Sequence, residues 1–434
     1  MNKPVNANQE FQSDFLSVTE ARTAISAVIH SIQAQARLHE AIESLPLKEC
    51  LGRILASDVL SPINVPANDN SAMDGFAFNG KELDTAQDPV NLRIAGAIYA
   101  GQTHSPSIQM GECIKVMTGA MMPPNCDTVI PQEFTKSSEE GSITFAKDTV
   151  RAGDNRRLCG EDLQAGKPAI QRGRILKASD IGLAASLGIA KLEVYQRIKV
   201  AILSSGDELC SIGVPLQPGK IYDSNRFSLH ACLSKLGFEI IDCGIVHDTP
   251  DDLRQAFMQA AQKADVIISS GGVSVGEADF TKQIMEELGQ VGFWKIAMRP
   301  GRPMAFGSLK PVSPKTAPTV FFGLPGNPVA VMVTFYQFVR NALLHLNGAL
   351  NPEIPLVSIQ SAEAIRKKSG RTEFQRGILF RDPEGRLLVK STGSQGAGIL
   401  RSMSEADCFM ILHHHQGNIA PGDWVDVEIF DGLL

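Results

Sequence analysis

From Lys199 onward the chain carries short β-branched runs that close on glycine or a small polar residue: "KVAILSSG", "FEIIDCGIV", "DVIISSGG" and "TVFFGLPG". Helical patterns fall between them. In "TPDDLRQAFMQAAQKA", Thr249 stands at the N-cap, Pro250 at the first helical position, and Asp251 and Asp252 in the first turn. Leu253, Phe257, Ala260, Ala261 and Ala264 then share one face. Strand–helix alternation of this kind predicts a parallel sheet covered by helices, ending near Gly348. In such sheets ligands bind at the carboxyl ends of the strands.

Elsewhere the texture differs. Ser17 and Glu20 form a capping-box pattern that opens a helix through "VTEARTAISAVIHSIQ". "PINVPANDNSAMDG" reads as a long irregular loop, and residues 61–147 as a β-rich region with runs such as "NLRIAGAIYAG" and "ECIKVMTGA". "KASDIGLAASLGI" predicts a short helix with Ser179 as N-cap. Beyond residue 349, "RLLVKST", "CFMIL" and "DWVDVEIF" predict a small β-barrel or sandwich, with a turn at Asp382-Pro383-Glu384-Gly385. Residues 1–12 read as a disordered tail, and no internal repeat of 20–50 residues is apparent.

Composition narrows this picture. At 434 residues, two to four domains are expected. A hydrophobic content of 43% with 20% charged residues marks a folded protein, and a net charge of −6 argues against nucleic acid as a partner. Any anion site must therefore be built locally. The eight cysteines include no CxxC pair, which fits free thiols better than disulfides or a zinc site. The longest apolar run, near "VAVMVTFYQFV", falls far short of the roughly 20 residues of a membrane span. The polar N-terminus lacks the apolar core of a signal peptide, so a cytoplasmic protein is expected.

Candidate chemistry gathers at the strand ends. "SSGDEL" brings Ser205, Gly206, Asp207 and Glu208, and "GIVHD" brings Asp248. "SSGGVSVGEAD" brings Gly271, Gly272, Ser274 and Gly276 together with Glu277 and Asp279. Its glycines suit a loop that wraps an anion, but its carboxylates repel one. Phosphate and acids are compatible only when a cation neutralises the cluster, and Mg²⁺ prefers a few carboxylates plus phosphate oxygens. A phosphate ester carrying a divalent metal resolves the conflict. "GLPGNP" adds Pro325, Gly326, Asn327 as N-cap and Pro328 as first helical residue, with free N–H groups and a positive dipole end facing the crevice. "KIAMRPGRPMAFG" supplies Lys295, Arg299 and Arg302, read either as a solvated hairpin edge or as an oxyanion site. Asp69, Asn70, Ser71 and Asp74 in "ANDNSAMDGFA", and Thr118 in "VMTGAMMPPNCD", read as Asx-turns unless they face the crevice. His413-His414-His415 reads as a solvated strand end rather than a metal site.

Eight motifs occur in order: "DNSAMDGFA", "VMTGAMMPPNCDTVIPQE", "GEDL", "SSGDEL", "SGGVSVGEADFTK", "PGRPMAFG", "GLPGNPVA" and "GSQGAGIL". Together they resemble the molybdopterin molybdenumtransferase family, similar also to the E domain of gephyrin, from about Phe15 to Phe430. The resemblance implies a multi-domain α/β plus β fold. Its parts are an elongated N-terminal domain (13–60 with 148–195), an inserted β-rich domain (61–147), a central parallel or mixed α/β domain (196–348) and a C-terminal β-barrel (349–434). It implies a homodimer whose sites each lie between the α/β domain of one subunit and the β-rich domain of the other. It implies transient contact with the molybdopterin adenylyltransferase. The implied reaction takes adenylylated molybdopterin, molybdate and Mg²⁺, releases AMP and leaves molybdenum on the dithiolene sulfurs.

By the same resemblance Asp279 is the central acid and metal ligand, with Glu208 and Asp248 beside it, and Asp69 and Thr118 act from the facing domain. Pro325 and Pro328 shape the helix entrance. Arg299 and Arg302 hold the oxyanion, with Arg371 and Ser394 as partners from the barrel. The chain departs from the family pattern where Arg299 and Arg302 replace frequent lysines, and where Ala330 and Ala397 replace frequent serines. Two other functions fit the same motifs: ATP-dependent molybdopterin adenylylation, and a non-catalytic scaffold of the gephyrin E type.

Overall fold

The computed structural model describes residues 15–36, 41–102, 107–139, 141–271, 280–313 and 317–430. The chain divides into two compact units: Met1–Ala56, Gly173–Lys177 and Lys191–Leu434 form one, and Ser57–Arg172 with Ala178–Ala190 the other.

The larger unit is built on a six-stranded sheet. Its strands are β1 (Lys199–Ser205), β2 (Glu239–Val246), β3 (Val266–Ser270), β4 (Gly289–Lys295), β5 (Pro303–Leu309) and β6 (Thr319–Leu324). The spatial order is β2-β1-β3-β6-β5-β4. The first four are parallel, while the β4–β5 hairpin adds an antiparallel edge. Helices α1 (Val18–Ala36), α2 (Asn225–Lys235), α3 (Pro250–Lys263), α4 (Phe280–Leu288) and α5 (Pro328–Thr334) surround it.

Strand alternation sends successive side chains to opposite faces. Val200, Ile202, Ile268 and Phe322 pack with α1, α2 and α5, whereas Ala201, Leu203, Ile267 and Phe321 pack with α3 and α4. Leu253 and Phe257 on α3 are fully buried, as their shared face predicts, and contribute about 1.5–3 kcal/mol each. Thr249 caps that helix by accepting from the Asp252 N–H.

α5 continues through a π-helical turn, Phe335–Val339, into the helix Arg340–Leu346. The whole run Pro328–Leu346 corrects the shorter apolar run expected around "VAVMVTFYQFV": it is long and apolar enough to cross a membrane, but 72% of its most apolar stretch is buried inside the protein. It is apolar because it forms the inner layer of the core. The π turn leaves the Gln337 carbonyl to accept from Arg22 Nε at 3.2 Å, which ties α1 to this helix.

At the start of α1, Ser17 N–H donates to Glu20 Oε2 at 2.7 Å and Glu20 N–H donates to Ser17 Oγ at 3.2 Å. That is the expected capping box. Ser17→Ala should lower stability by about 1 kcal/mol, seen as a lower urea midpoint with unchanged slope.

The C-terminal strands are β7 (Val357–Ser361), β8 (Thr372–Arg381), β9 (Leu387–Ser391), β10 (Cys408–Leu412) and β11 (Trp424–Ile429). They pair in the order β8-β9-β7-β11-β10, and β10 returns to β8, so the barrel is closed and no sandwich forms. The Asp382–Gly385 turn joins β8 to β9, with Gly385 N–H donating to Asp382 O at 2.9 Å. The short strand Met298–Arg299 lies parallel to β8, pairing Arg299 with Glu373. The three histidines follow β10: His413 and His415 are exposed, and His413 Nε2 lies 2.8 Å from Asp426 Oδ2.

The smaller unit holds a second six-stranded sheet, in the order Thr128–Pro131, Gly75–Phe78, Glu112–Val116, Val90–Ile98, Ser142–Phe145, Lys136–Ser137. The stretch expected to be wholly irregular contains a short strand, Asn70–Ser71, paired with Arg156–Arg157. Backbone pairing with residues distant in sequence supplied that order, which local composition could not reveal. The helix at Ala178–Ser186 begins one residue before Ser179, so Ser179 sits in its first turn and not at its cap. Small residues are tolerated at either position, so composition alone leaves this boundary free by a residue.

Candidate functional site

β1 has β2 on one side and β3 on the other, so the chain reverses direction of travel across the sheet at β1/β3. A crevice opens at such a switch point beyond the carboxyl ends. Two glycines shape it. Gly271 follows β3 at φ +90°, and a Cβ there would lie 2.3 Å from Ser205 O at the end of β1. Gly206 has φ +147°, and a Cβ there would lie 2.6 Å from Glu208 Oε2. Glycine thus lets the Glu208 carboxylate fold back against the strand end.

Asp248, just past β2, is held above the usual carboxylate range, first by burial and then by the charges of Asp207 and Glu208. These three acids from two strand ends therefore share one field. Among the described residues no three acidic, histidine or cysteine side chains converge into a ready metal cage. Mg²⁺ needs only one or two carboxylates besides substrate oxygens, so the mutually repelling acids Asp207, Glu208 and Asp248 fit it. Gly272, Ser274, Gly276 and Asp279 lie outside the described residues. The hydroxyls of Ser205 and Ser269 are buried with no hydrogen-bond partner among the described residues.

The β6 turn carries Pro325, Gly326, Asn327 and Pro328, with Asn327 at the N-cap and Pro328 at the first helical position, as expected. The N–H groups expected to be free are partly spent. Pro328 has none, Val329 N–H donates to Ala397 O at 3.0 Å, and Val331 N–H donates to Asn327 O at 3.0 Å. Ala397, where a serine donor would be frequent, contributes its backbone carbonyl to this contact.

The basic turn leads to a separate pocket. A cavity of about 250 Å³ opens between the turn and the barrel, its polar lining including Arg299, Arg366, Arg376, Glu363, Glu373 and Gln395. That is smaller than typical drug-sized sites and suits a small anion. Arg376 is the feature that sequence reading missed. Its side chain is fully buried on β8, with Nε donating to Ser402 Oγ at 3.0 Å and Nη2 to Gly396 O at 3.1 Å. Burial, and then the charge of Arg299, bring its guanidinium down to about 10, so it stays protonated at neutral pH. Gln395 closes the frame by accepting from Arg376 N–H at 2.8 Å.

The other expected oxyanion residues stand elsewhere. Arg302 lies over the Phe15 ring, 4.9 Å from its centroid. Arg371 pairs with Glu373 at 2.7 Å and does not line the cavity. Ser394 is absent from the lining, although its neighbours Gly393 and Gln395 belong to it.

In the smaller unit Asp69 and Thr118 come together through backbone pairing of their loops: Met122 N–H donates to Asp69 O, and Gly119 N–H to Ser71 O. Thr118 donates to Asp74 Oδ1 from both N–H (2.7 Å) and Oγ1 (2.8 Å), which holds the Asp74 carboxyl below its usual range. Asp69 accepts from Cys159 N–H at 2.8 Å, and its other oxygen lies 3.6 Å from Arg156.

A doubly wound sheet with acids at its switch point, joined within one unit to a small arginine pocket, defines an α/β protein equipped for an anionic ester and an oxyanion. Comparison with known proteins sharpens this. Residues 16–188 match the family described as MoeA N-terminal region (domain I and II), 201–345 the probable molybdopterin binding domain, and 358–430 the MoeA C-terminal region (domain IV). The chain is similar to molybdopterin molybdenumtransferase of Haemophilus influenzae, 42% identical over 90% of this chain and 95% of that one. It is 36% identical to the Nostoc sp. protein of the same name, over 83% and 82% of the two chains. Gephyrin of Dictyostelium discoideum is 29% identical over 89% of this chain and 59% of its own length. The solved molybdopterin biosynthesis MoeA protein of Pyrococcus horikoshii OT3 superposes with a TM-score of 0.73 at 26% identity, covering 92% of this chain and 99% of that one. The chain belongs to the MoeA family of molybdopterin molybdenumtransferases.

Proposed function

We propose that this enzyme of molybdenum cofactor biosynthesis takes adenylylated molybdopterin and molybdate, breaks the pyrophosphate link, releases AMP and leaves molybdenum on the dithiolene sulfurs. The observation that carries the reading is the cavity of oxyanion size around Arg376, whose guanidinium is protonated at neutral pH, in the same unit as the acid rim. Arg376 and Arg299 hold molybdate there by charge-assisted hydrogen bonds. Glu208 and Asp248, with Asp279, are the residues that would hold Mg²⁺. Such an ion would supply stabilisation of the charge that develops on the departing AMP.

The reading includes a cytoplasmic homodimer in which Asp69 and Thr118 serve a second copy, and the four-part division at 13–60 with 148–195, 61–147, 196–348 and 349–434. AMP release from adenylylated molybdopterin, measured by chromatography without ATP, should require both molybdate and Mg²⁺. No AMP under those conditions, or a requirement for ATP, overturns the proposal.

A further inference from the structure

Asn225 opens α2 and is only 9% exposed. Its Nδ2 donates to Ser270 Oγ at 2.8 Å and to Gly326 O at 2.7 Å. A carbonyl can only accept, so the amide orientation is fixed: both hydrogens of the NH₂ group are used. The Oδ1 atom is then left buried without a partner among the described residues. Within the described residues, what Asn225 contributes is therefore its two donors.

Those donors join three chain segments at the crevice. Ser270 ends β3, and the next residue, Gly271, makes the strand's last bond by donating to Leu324 O at 3.2 Å. Gly326 lies in the turn between β6 and α5. That turn is exposed at Gly326, and a Cβ there would meet nothing within 4 Å, so packing does not hold it on that side. The start of α2 is itself anchored. Buried Asp223 accepts from Ser204 Oγ at 3.0 Å and from Arg226 Nε at 2.9 Å.

We infer that Asn225 is a positioning residue: it sets the distance between the exit of β3 at Gly271 and the β6 turn at Gly326, and thereby the width of the substrate crevice. The inference rests on the proposed reaction for its kinetic consequence only. Asn225→Asp keeps the size and can still accept from Ser270, but it has no donor for Gly326 O. Asn225→Ala removes both bonds.

Both variants should fold and should lower kcat for AMP release by about 10- to 100-fold, since misplacement by about 1 Å has that scale of effect. The KM for molybdate should stay within about twofold, because neither bond of Asn225 reaches a residue that lines the arginine pocket. Amide hydrogen exchange at Gly271 and Val329 should accelerate. A kcat within about twofold of wild type in both variants overturns the inference. So does a loss of kcat matched only by loss of folded protein. If wild type itself releases no AMP, the proposed function fails alone, and exchange in Asn225→Asp still decides: faster exchange supports the tether and unchanged exchange refutes it.

Discussion

Arg376→Lys is expected to raise the KM for molybdate by about 10- to 100-fold while the protein stays folded. A hydrogen bond from a charged donor contributes about 1.5–3 kcal/mol, which converts to that range. Lysine keeps the charge but loses the planar fork that meets two oxyanion oxygens at once. The guanidinium bonds go to Ser402 Oγ and Gly396 O, both uncharged, so its field is not cancelled by a carboxylate at those contacts. Glu373, which also lines the cavity, is already paired with Arg371. The measurement is AMP release titrated with molybdate, alongside a thermal melt to confirm folding. An unchanged KM in folded Arg376→Lys would remove the pocket from the reaction.

That arginine also shows where sequence reading stops. The parallel sheet and the acids Glu208 and Asp248 at its strand ends were legible, because glycine-terminated strands and capped helices leave local patterns, whereas the strand order that makes the switch point was not. The membership of the oxyanion pocket was not. Arg371 and Arg376 both belong to "GRTEFQRG", and composition does not say which is buried. One signal was present: Arg376 falls two residues after Phe374, on the face of β8 that enters the core. A charge on an apolar strand face needs a reason, and alternation could have singled it out. Asn225 gave no such signal, since both its bonds reach residues far along the chain. Ser179 shows the converse, a sound local pattern displaced by one residue.

Asp248→Asn should raise the melting temperature at neutral pH and lower turnover by at least about 100-fold, given that metal-assisted charge stabilisation amounts to several kcal/mol. The sign follows from the titration. Burial, Asp207 and Glu208 all raise the folded value above 3.8, so the native state binds this proton more tightly than the unfolded chain. Stability then falls as pH climbs from about the unfolded value through the folded one, and above the folded value the loss is complete. Asparagine never carries that charge, so its advantage is full at neutral pH and fades on acidification. Mg²⁺ acts in the opposite sense. A cation bound to the native acids offsets their repulsion, so added Mg²⁺ should raise the melting temperature of wild type more than that of Asp248→Asn. Stability and activity thus move apart at one residue, which a purely structural carboxylate would not do. If Asp248→Asn melts below wild type at neutral pH, and both respond equally to Mg²⁺, the acid rim is not the seat of a metal ion.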